Sequence, residues 1–483
     1  MLAAYVERLV RFGFGLLAAA ILLAALVHLA PPPSPNAGSP IRGERAVAEL
    51  VGPAVPATLT SLAVGVAYAL PLALLLGIPA GLRPNSPLDR ALQRPAAALA
   101  GLPAFTLALL AVLILLIQYG VLSLPGASLA ALTLVLAAWL ARAVRDGLAG
   151  VRPDGLPLPY GKAAVAVLGR VLQQTGNLLL LTLLVGSFSG GPAGGLLRLV
   201  THGAMTRDLP LVYGALWALV LCALAGHLIG DLLVTATEVK GGAQGRLSRG
   251  WLAAGGLLTA VLLITALLGS GDPMELRLAE RLMPPGPGHL LGADQYGRDL
   301  FSRIGYGARV SLAITGAATL LATVGGGLLA FLARAGGPWG WAILTPRTAV
   351  PNLFGPVVAG LVGGLIFGPS IPTLMVSLGV ASIPSMALAF RQFLQPEAWG
   401  RRFAAAAGLT VLTGAQVMMA EQIISFLALG VQPPSPSLGS LVYEATFYVR
   451  TAPHLLWAAV PGAAGLAGLF LLGQELAGAA GWE

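Results

Sequence analysis

An all-α bundle of about twelve membrane-spanning helices is the fold this sequence predicts, and three observations predict it. The first is composition. Hydrophobic residues make up 57% of the chain and charged residues 10%, with mean hydropathy +0.84, whereas soluble proteins carry about 25% charge. The second is spacing. Apolar runs near the length of a bilayer crossing fall at about 12–30, 57–82, 98–117, 127–145, 171–189, 211–236, 252–269, 308–333, 344–367, 372–394, 403–430 and 455–477. The third is where the charges fall. The net charge of +9 is spread over short segments between the runs, which marks membrane topology rather than a nucleic-acid patch.

Taken in order, the first run follows Arg8 and Arg11. It is long for a signal-peptide core and no small-x-small cleavage site follows, so it reads as a retained helix. With the N-terminus in the cytoplasm, the inside segments gather Arg83, Arg90, Arg94, Arg142, Arg145, Arg152, Lys162, Arg334, Arg391, Arg401 and Arg402. The outside segments hold fewer basic residues, and many of those have acidic neighbours, such as Arg45 beside Glu44 and Arg298 beside Asp299. The excess places both termini inside. The runs divide six and six around a polar, Gly-rich stretch with Lys240, Arg246 and Arg249, giving 1–240, a cytoplasmic linker at 241–250, and 251–483. Cys222 is the single cysteine and lies in an apolar run, so no intrachain disulfide or thiolate metal site is expected.

The most polar run, His289 to Leu312, lies between two apolar ones. Its charges and irregular backbone would have no partners in hydrocarbon, so it should sit at a membrane surface and lead into a helix near Ala308. It resembles the signature before the second membrane helix in the second permease subunit of peptide, oligopeptide and nickel ABC importers. His289, Leu291, Gly292, Asp294, Gly297, Arg298, Asp299, Ser302, Arg303, Gly307, Arg309, Ser311 and Leu312 fill matching places, while Leu290 and Ala293 replace the usual Pro and Thr. Ala420-Glu421 and Ser425 to Pro434 (SFLALGVQPP) resemble the end of that subunit's fifth helix and the loop after it. The N-terminal part resembles the first permease subunit at Pro56-Ala57-Thr58-Leu59, Leu76 to Gly81, Gly101 to Phe105, and Arg207 to Val212 with Asp231 beyond. The resemblance implies two type I ABC importer permease halves, fused in one chain. It also implies cytoplasmic ATPase subunits and an extracytoplasmic solute-binding protein as partners, the bacterial inner membrane as location, and peptides or nickel chelates as substrates.

Enzyme constellations are absent from the sequence. The histidines at 28, 202, 227, 289 and 454 form no HExxH or other spaced ligand set, and no GxxxxGK[ST] phosphate loop occurs. No catalytic residue, cofactor, resident metal or nucleic-acid partner is expected, and ATP hydrolysis would belong to another polypeptide. The intramembrane polar candidates are Glu421, Gln422 and Asp231. Glu421 reads equally as a helix–helix hydrogen bond or as a transport residue, and Asp231 as a charge near the headgroups.

The resemblance fails at the loops that couple such permeases to their ATPases. In the first part Leu156-Pro157-Leu158-Pro159 replaces the usual helical E-A-A stretch. Gly161 matches the motif glycine, and a helix could begin at Lys162. In the second part only Gln392 to Arg402 remains, with Glu397-Ala398 as a superficial match and Gly400 too close behind it. Gly161, Lys162, Glu397 and Arg401 are the candidate coupling residues. The reading that follows is an importer permease. Its alternative is a degenerate homologue acting as a membrane scaffold or sensor partner.

Overall fold

The computed structural model describes residues 46–84, 86–100, 124–151, 160–179, 195–206, 208–237, 248–269, 271–337, 354–393, 399–448 and 451–479. The expected runs at 12–30 and, from residue 101, 98–117 lie outside them, as do parts of 171–189 and 344–367. The described residues are helical almost throughout. The helices are α1 (Val47–Leu82), α2 (Pro87–Ala100), α3 (Leu124–Val151), α4 (Tyr160–Gln173), α5 (Leu196–Met205), α6 (Leu209–Ala236), α7 (Arg249–Leu268), α8 (Leu300–Ala335), α9 (Phe354–Phe367), α10 (Ile371–Phe393), α11 (Trp399–Phe426), α12 (Leu438–Thr446) and α13 (Ala459–Ala479). Among the described residues, seven of these helices are long and apolar enough to cross a bilayer: α1, α6, α7, α8, α10, α11 and α13. The chain is a polytopic helical membrane bundle.

The helices sort into two sets by contact. In the first, α1 packs on α3, α2 on α3 and α1, α3 on α4, α4 on α6, and α5 on α6. In the second, α8 packs on α10, α7 on α13, α13 on α11, and α11 on α8, α10 and α12. Among the described residues, the largest contact between the sets is α2 against α13.

The two sets share a detail at residue level. α1 and α8 are each 36 residues long, or about 54 Å at 1.5 Å per residue, well beyond the ~30 Å hydrocarbon layer. Both therefore project past the membrane. At the twelfth residue of each stands a hydroxyl that accepts from the first amide of a short helix. Thr58 Oγ1 accepts from Leu196 N (3.0 Å) at the start of α5, and Ser311 Oγ accepts from Leu438 N (3.2 Å) at the start of α12. Each satisfies one of the orphan donors of a helix N-terminus.

Two element boundaries differ from the sequence reading. α1 begins ten residues before the run at 57 and carries Pro53 and Pro56 as its seventh and tenth residues. α8 begins at Leu300 rather than near Ala308. Asp299 caps it, with Oδ2 accepting from the backbone N and Oγ of Ser302 (2.8 and 2.7 Å). The polar run therefore contains both the loop and the first three turns of the helix.

Lipid gives helices no hydrophobic reason to associate, so close backbone approach matters. The end of α7 meets α8 at Gly269 and Gly305, where a Cβ on Gly305 would lie 2.4 Å from the Gly269 Cα. Gly305→Ala is therefore expected to destabilise the chain by about 1–3 kcal/mol through overpacking. Gly316→Ala, where nothing lies within 4 Å, should be neutral or mildly stabilising. Thermal melts of the two variants in the same detergent check this, and equal melting points would refute the close-packing argument.

Candidate functional site

Residues 271–299, α12 and the 3₁₀ turn Pro453–Ala458 form a polar cap over the helix ends. The loop has little regular structure of its own. Its backbone is closed by Leu282 N to Asp294 O (2.9 Å), Ala293 N to Met283 O (2.9 Å) and Leu300 N to Gly292 O (3.0 Å). Two glycines make this path possible. Gly292 and Gly297 have φ of +89° and +74°, and a Cβ on Gly297 would sit 1.7 Å from the Arg277 carbonyl oxygen.

Asp294 is the centre of the cap and is 2% exposed. Its Oδ1 accepts from the backbone N–H groups of Tyr296 (2.8 Å) and Arg298 (3.0 Å). Its Oδ2 accepts from Arg298 Nε (2.7 Å) and Arg303 Nη1 (2.6 Å). Arg303 then forks onto Glu444 of α12, at 2.8 Å from Nη1 and 3.1 Å from Nη2, and Gln295 Nε2 donates to the same carboxylate (3.1 Å). Arg298 also stacks on the Tyr296 ring, 4.8 Å from its centroid. Leaving water costs each ion several kcal/mol, and the hydrogen bonds on every side of Asp294 offset that cost. Arg309 does a different job. Its Nη1 donates to the carbonyls of Ala266 (2.7 Å) and Gly269 (2.9 Å), closing the open end of α7 where a cation is favoured.

His289 joins a second group. Its Nδ1 lies 3.0 Å from Asp299 Oδ1 and its Nε2 2.7 Å from Glu280 Oε2. Both partners only accept when ionised, so the ring donates from both nitrogens as the imidazolium. Hydrogen bonds that the ring donates to Asp299 and Glu280 raise the His289 pKa above its ordinary value. The His289 hydrogen bond, against some burial, lowers Glu280. Burial works to raise Asp299, but the Ser302 hydroxyl, His289 and the Ser302 amide outweigh it and hold the carboxyl low. A recess of about 310 Å³ opens beside this group, lined by Asp272, Glu275, Arg277, His289, Asp299 and Ser302.

Beneath the cap lies Glu421, which is fully buried. Ser425 Oγ donates to its Oε1 (2.9 Å), and the hydroxyls of Ser311 and Ser437 are its next polar neighbours. The sequence placed Glu421 deep in a span reaching residue 430, but α11 ends at Phe426. There Leu429 N bonds to Ile424 O (3.1 Å) and Ala428 N to Ser425 O (3.1 Å), with Ala428 at φ +59°, a left-handed stop. Glu421 thus sits in the last two turns and joins α11 to α8 and α12. Gln422 is buried against Gly462 of α13.

The remaining candidates lie elsewhere. Asp231 is engaged by Gln173 Nε2 (2.6 Å) and lies 3.9 Å from His227 Nε2, in a polar contact between α4 and α6. Gly161 and Lys162 are exposed in the first turn of α4, which begins at Tyr160. Arg401 falls in the first turn of α11, and Glu397 lies outside the described residues. Residues 394–398, between α10 and α11, lie outside the described residues. Among the described residues, no group of three or more His, Cys, Asp or Glu is arranged to hold a metal ion. Sequence reasoning missed Glu444, although one acidic residue in a short apolar helix of a chain with 19 acids was a usable signal.

The described residues form a polytopic helical bundle with a polar cap, and comparison with known proteins supplies its class. The chain is 28% identical over 238 residues to the di/tripeptide transport system permease protein DppC of Pseudomonas aeruginosa, covering 41% of this chain and 77% of that protein. It is 25% identical over 223 residues to the dipeptide transport system permease protein DppC of Alkalihalophilus pseudofirmus, covering 41% and 73%. It is 28% identical over 194 residues to the glutathione transport system permease protein GsiD of Pectobacterium atrosepticum, covering 35% and 64%. No protein-family model matches the chain. These homologues are permease proteins of peptide, dipeptide and glutathione transport systems, and they support a permease component of an ABC importer.

Removing one partner of the buried network should be costly. Arg303→Met leaves Asp294 and Glu444 short of a cation and is expected to cost about 3 kcal/mol. Glu444, whose side chain is 24% exposed, should cost less as Glu444→Gln. Thermal melts in detergent give the ranking, and a reversed order would refute the burial argument. The His289 group sets a pH window. Raised His289 contributes stability fully below its ordinary 6.5 and loses it as pH climbs through the raised value. Lowered Glu280 and Asp299 contribute above their ordinary 4.5 and 3.8 and lose it as pH falls through the lowered values. Amide exchange in residues 278–300 should therefore be slowest between about pH 4.5 and 6.5, after correction for intrinsic rates. His289→Gln should flatten the alkaline side.

Proposed function

We propose that the chain is a fused pair of permease halves, 1–240 and 251–483 joined by the linker 241–250, in an ABC importer of peptides or chemically related small solutes. Separate cytoplasmic ATPase subunits drive it, and an extracytoplasmic solute-binding protein delivers substrate to the cap. The protein sits in the bacterial cytoplasmic membrane with both termini inside and the cap outside.

The observation that carries this reading is the repeated joint. Thr58 and Ser311 stand at the same position of two equally long helices, and each anchors the short helix that its own set carries. Two halves built on one plan, each with a short helix anchored at its outer end, suit a pathway between them that opens alternately to either side. The relatives' peptide, dipeptide and glutathione systems supply the substrate class.

One observation favours a second reading, a non-transporting scaffold or sensor partner. The sequence keeps only Gln392 to Arg402 where the resembled family has a longer coupling loop, so an ATPase would have to grip the second half differently. Co-purification in mild detergent separates the two. A stoichiometric ATPase whose turnover responds to peptide, with uptake lost on deletion of this chain, is the expected result. A folded preparation that carries no ATPase, and a deletion strain with unchanged uptake, would refute the importer.

A further inference from the structure

The helix sets meet at the end away from the cap. Glu475 lies 16 residues along α13 from Ala459, roughly 24 Å from the capped end. Its carboxylate is 5% exposed and takes both Nε and Nη2 of Arg94 from α2, the latter at 3.1 Å. It also accepts from the backbone N–H of Ser248 at the start of α7 (2.8 Å). One carboxylate thus ties α2 of the first set to α7 and α13 of the second.

α2 is held on its other side too. Asp89, 3% exposed, receives Nη2 and Nε of Arg145 from α3, at 2.9 and 3.3 Å. Asp89 and Arg94 are five residues apart, or about 140° around the helix, so their side chains leave it in different directions. The Asp89 contact is internal to the first set. The Arg94 contact crosses between sets, in the largest packing the two sets make among the described residues.

We propose that α2 is a clasp, fixed to its own set by Asp89–Arg145 and closing the uncapped end of the seam through a releasable Arg94–Glu475 contact. Opening that end requires Glu475 to exchange Arg94 for water, so the pair sets the population of the open state. Its part in transport rests on the alternating-access reading above, but the clasp itself does not.

Spin labels at Leu88→Cys on α2 and Phe403→Cys on α11 report the seam, since both positions are exposed and belong to different sets. The background is Cys222→Ala. The full-length protein in nanodiscs should give one short distance population. Arg94→Met and Glu475→Gln should each add a longer one, shifting the open-to-closed ratio about a hundredfold, and the double variant should open no further than either single one. The amide oxygen introduced by Glu475→Gln can still accept from Ser248, so the comparison isolates the cross-set pair. Unchanged distances in both single variants, or additive opening in the double, would overturn the clasp. Opening as expected in a protein that moves no peptide would leave the clasp standing and overturn the importer reading instead.

Discussion

Asp294 is the residue on which the capped end depends. In a chain with 10% charged residues, a carboxylate that is 2% exposed survives only because four donors converge on it. Two of these are backbone amides of its own turn, which fix the loop's path. The other two are guanidinium groups, one from the loop and one from the first turn of α8. Because Arg303 also forks onto Glu444, the turn, α8 and α12 take one mutual arrangement. A hydrophobic contact would hold them together but would tolerate sliding; a bidentate pair fixes distance and rotation.

That constraint propagates downward. With α12 fixed by Glu444, its first amide lies against Ser311, and Ser437 closes a capping box with Ser440 at the same place. Glu421 and Ser425 reach this joint from α11. Glu421, which the sequence left open between a helix–helix hydrogen bond and a transport residue, meets these serines at a helix junction, where hydroxyls and a carboxyl answer one another. The equivalent joint at Thr58 is simpler, one hydroxyl against one amide among the described residues.

The bundle was legible in the sequence because apolar length is a strong signal, and α6, α7, α10 and α13 fall within a few residues of their expected runs. The helix starts were less legible. A charge such as Arg303 reads as a loop residue until its partner is known, and that partner, Glu444, lies 141 residues away. Likewise Gly297 could be read as a turn, but not as the point where the Arg277 carbonyl crosses it. The Arg94–Glu475 contact was invisible for the same reason. Both residues fit the ordinary pattern of charges near helix ends, and their separation of 381 residues leaves no local trace.

The two ends of the molecule are consequently held by different kinds of contact. At the capped end the charged pairs Asp294–Arg303 and Arg303–Glu444 lie within one helix set, so they stiffen that set and place no direct restraint on the other. At the opposite end the pair Arg94–Glu475 joins one set to the other. A bundle stiffened within a set at one end and tied between sets at the other has one direction in which rigid-body motion meets a specific electrostatic cost. The breaking of an ion pair is a step rather than a slope, because the charge is either paired or hydrated. Any motion that opens the uncapped end meets that step at α2, which is exposed on its outer face at Leu88 and anchored to its own set at Asp89.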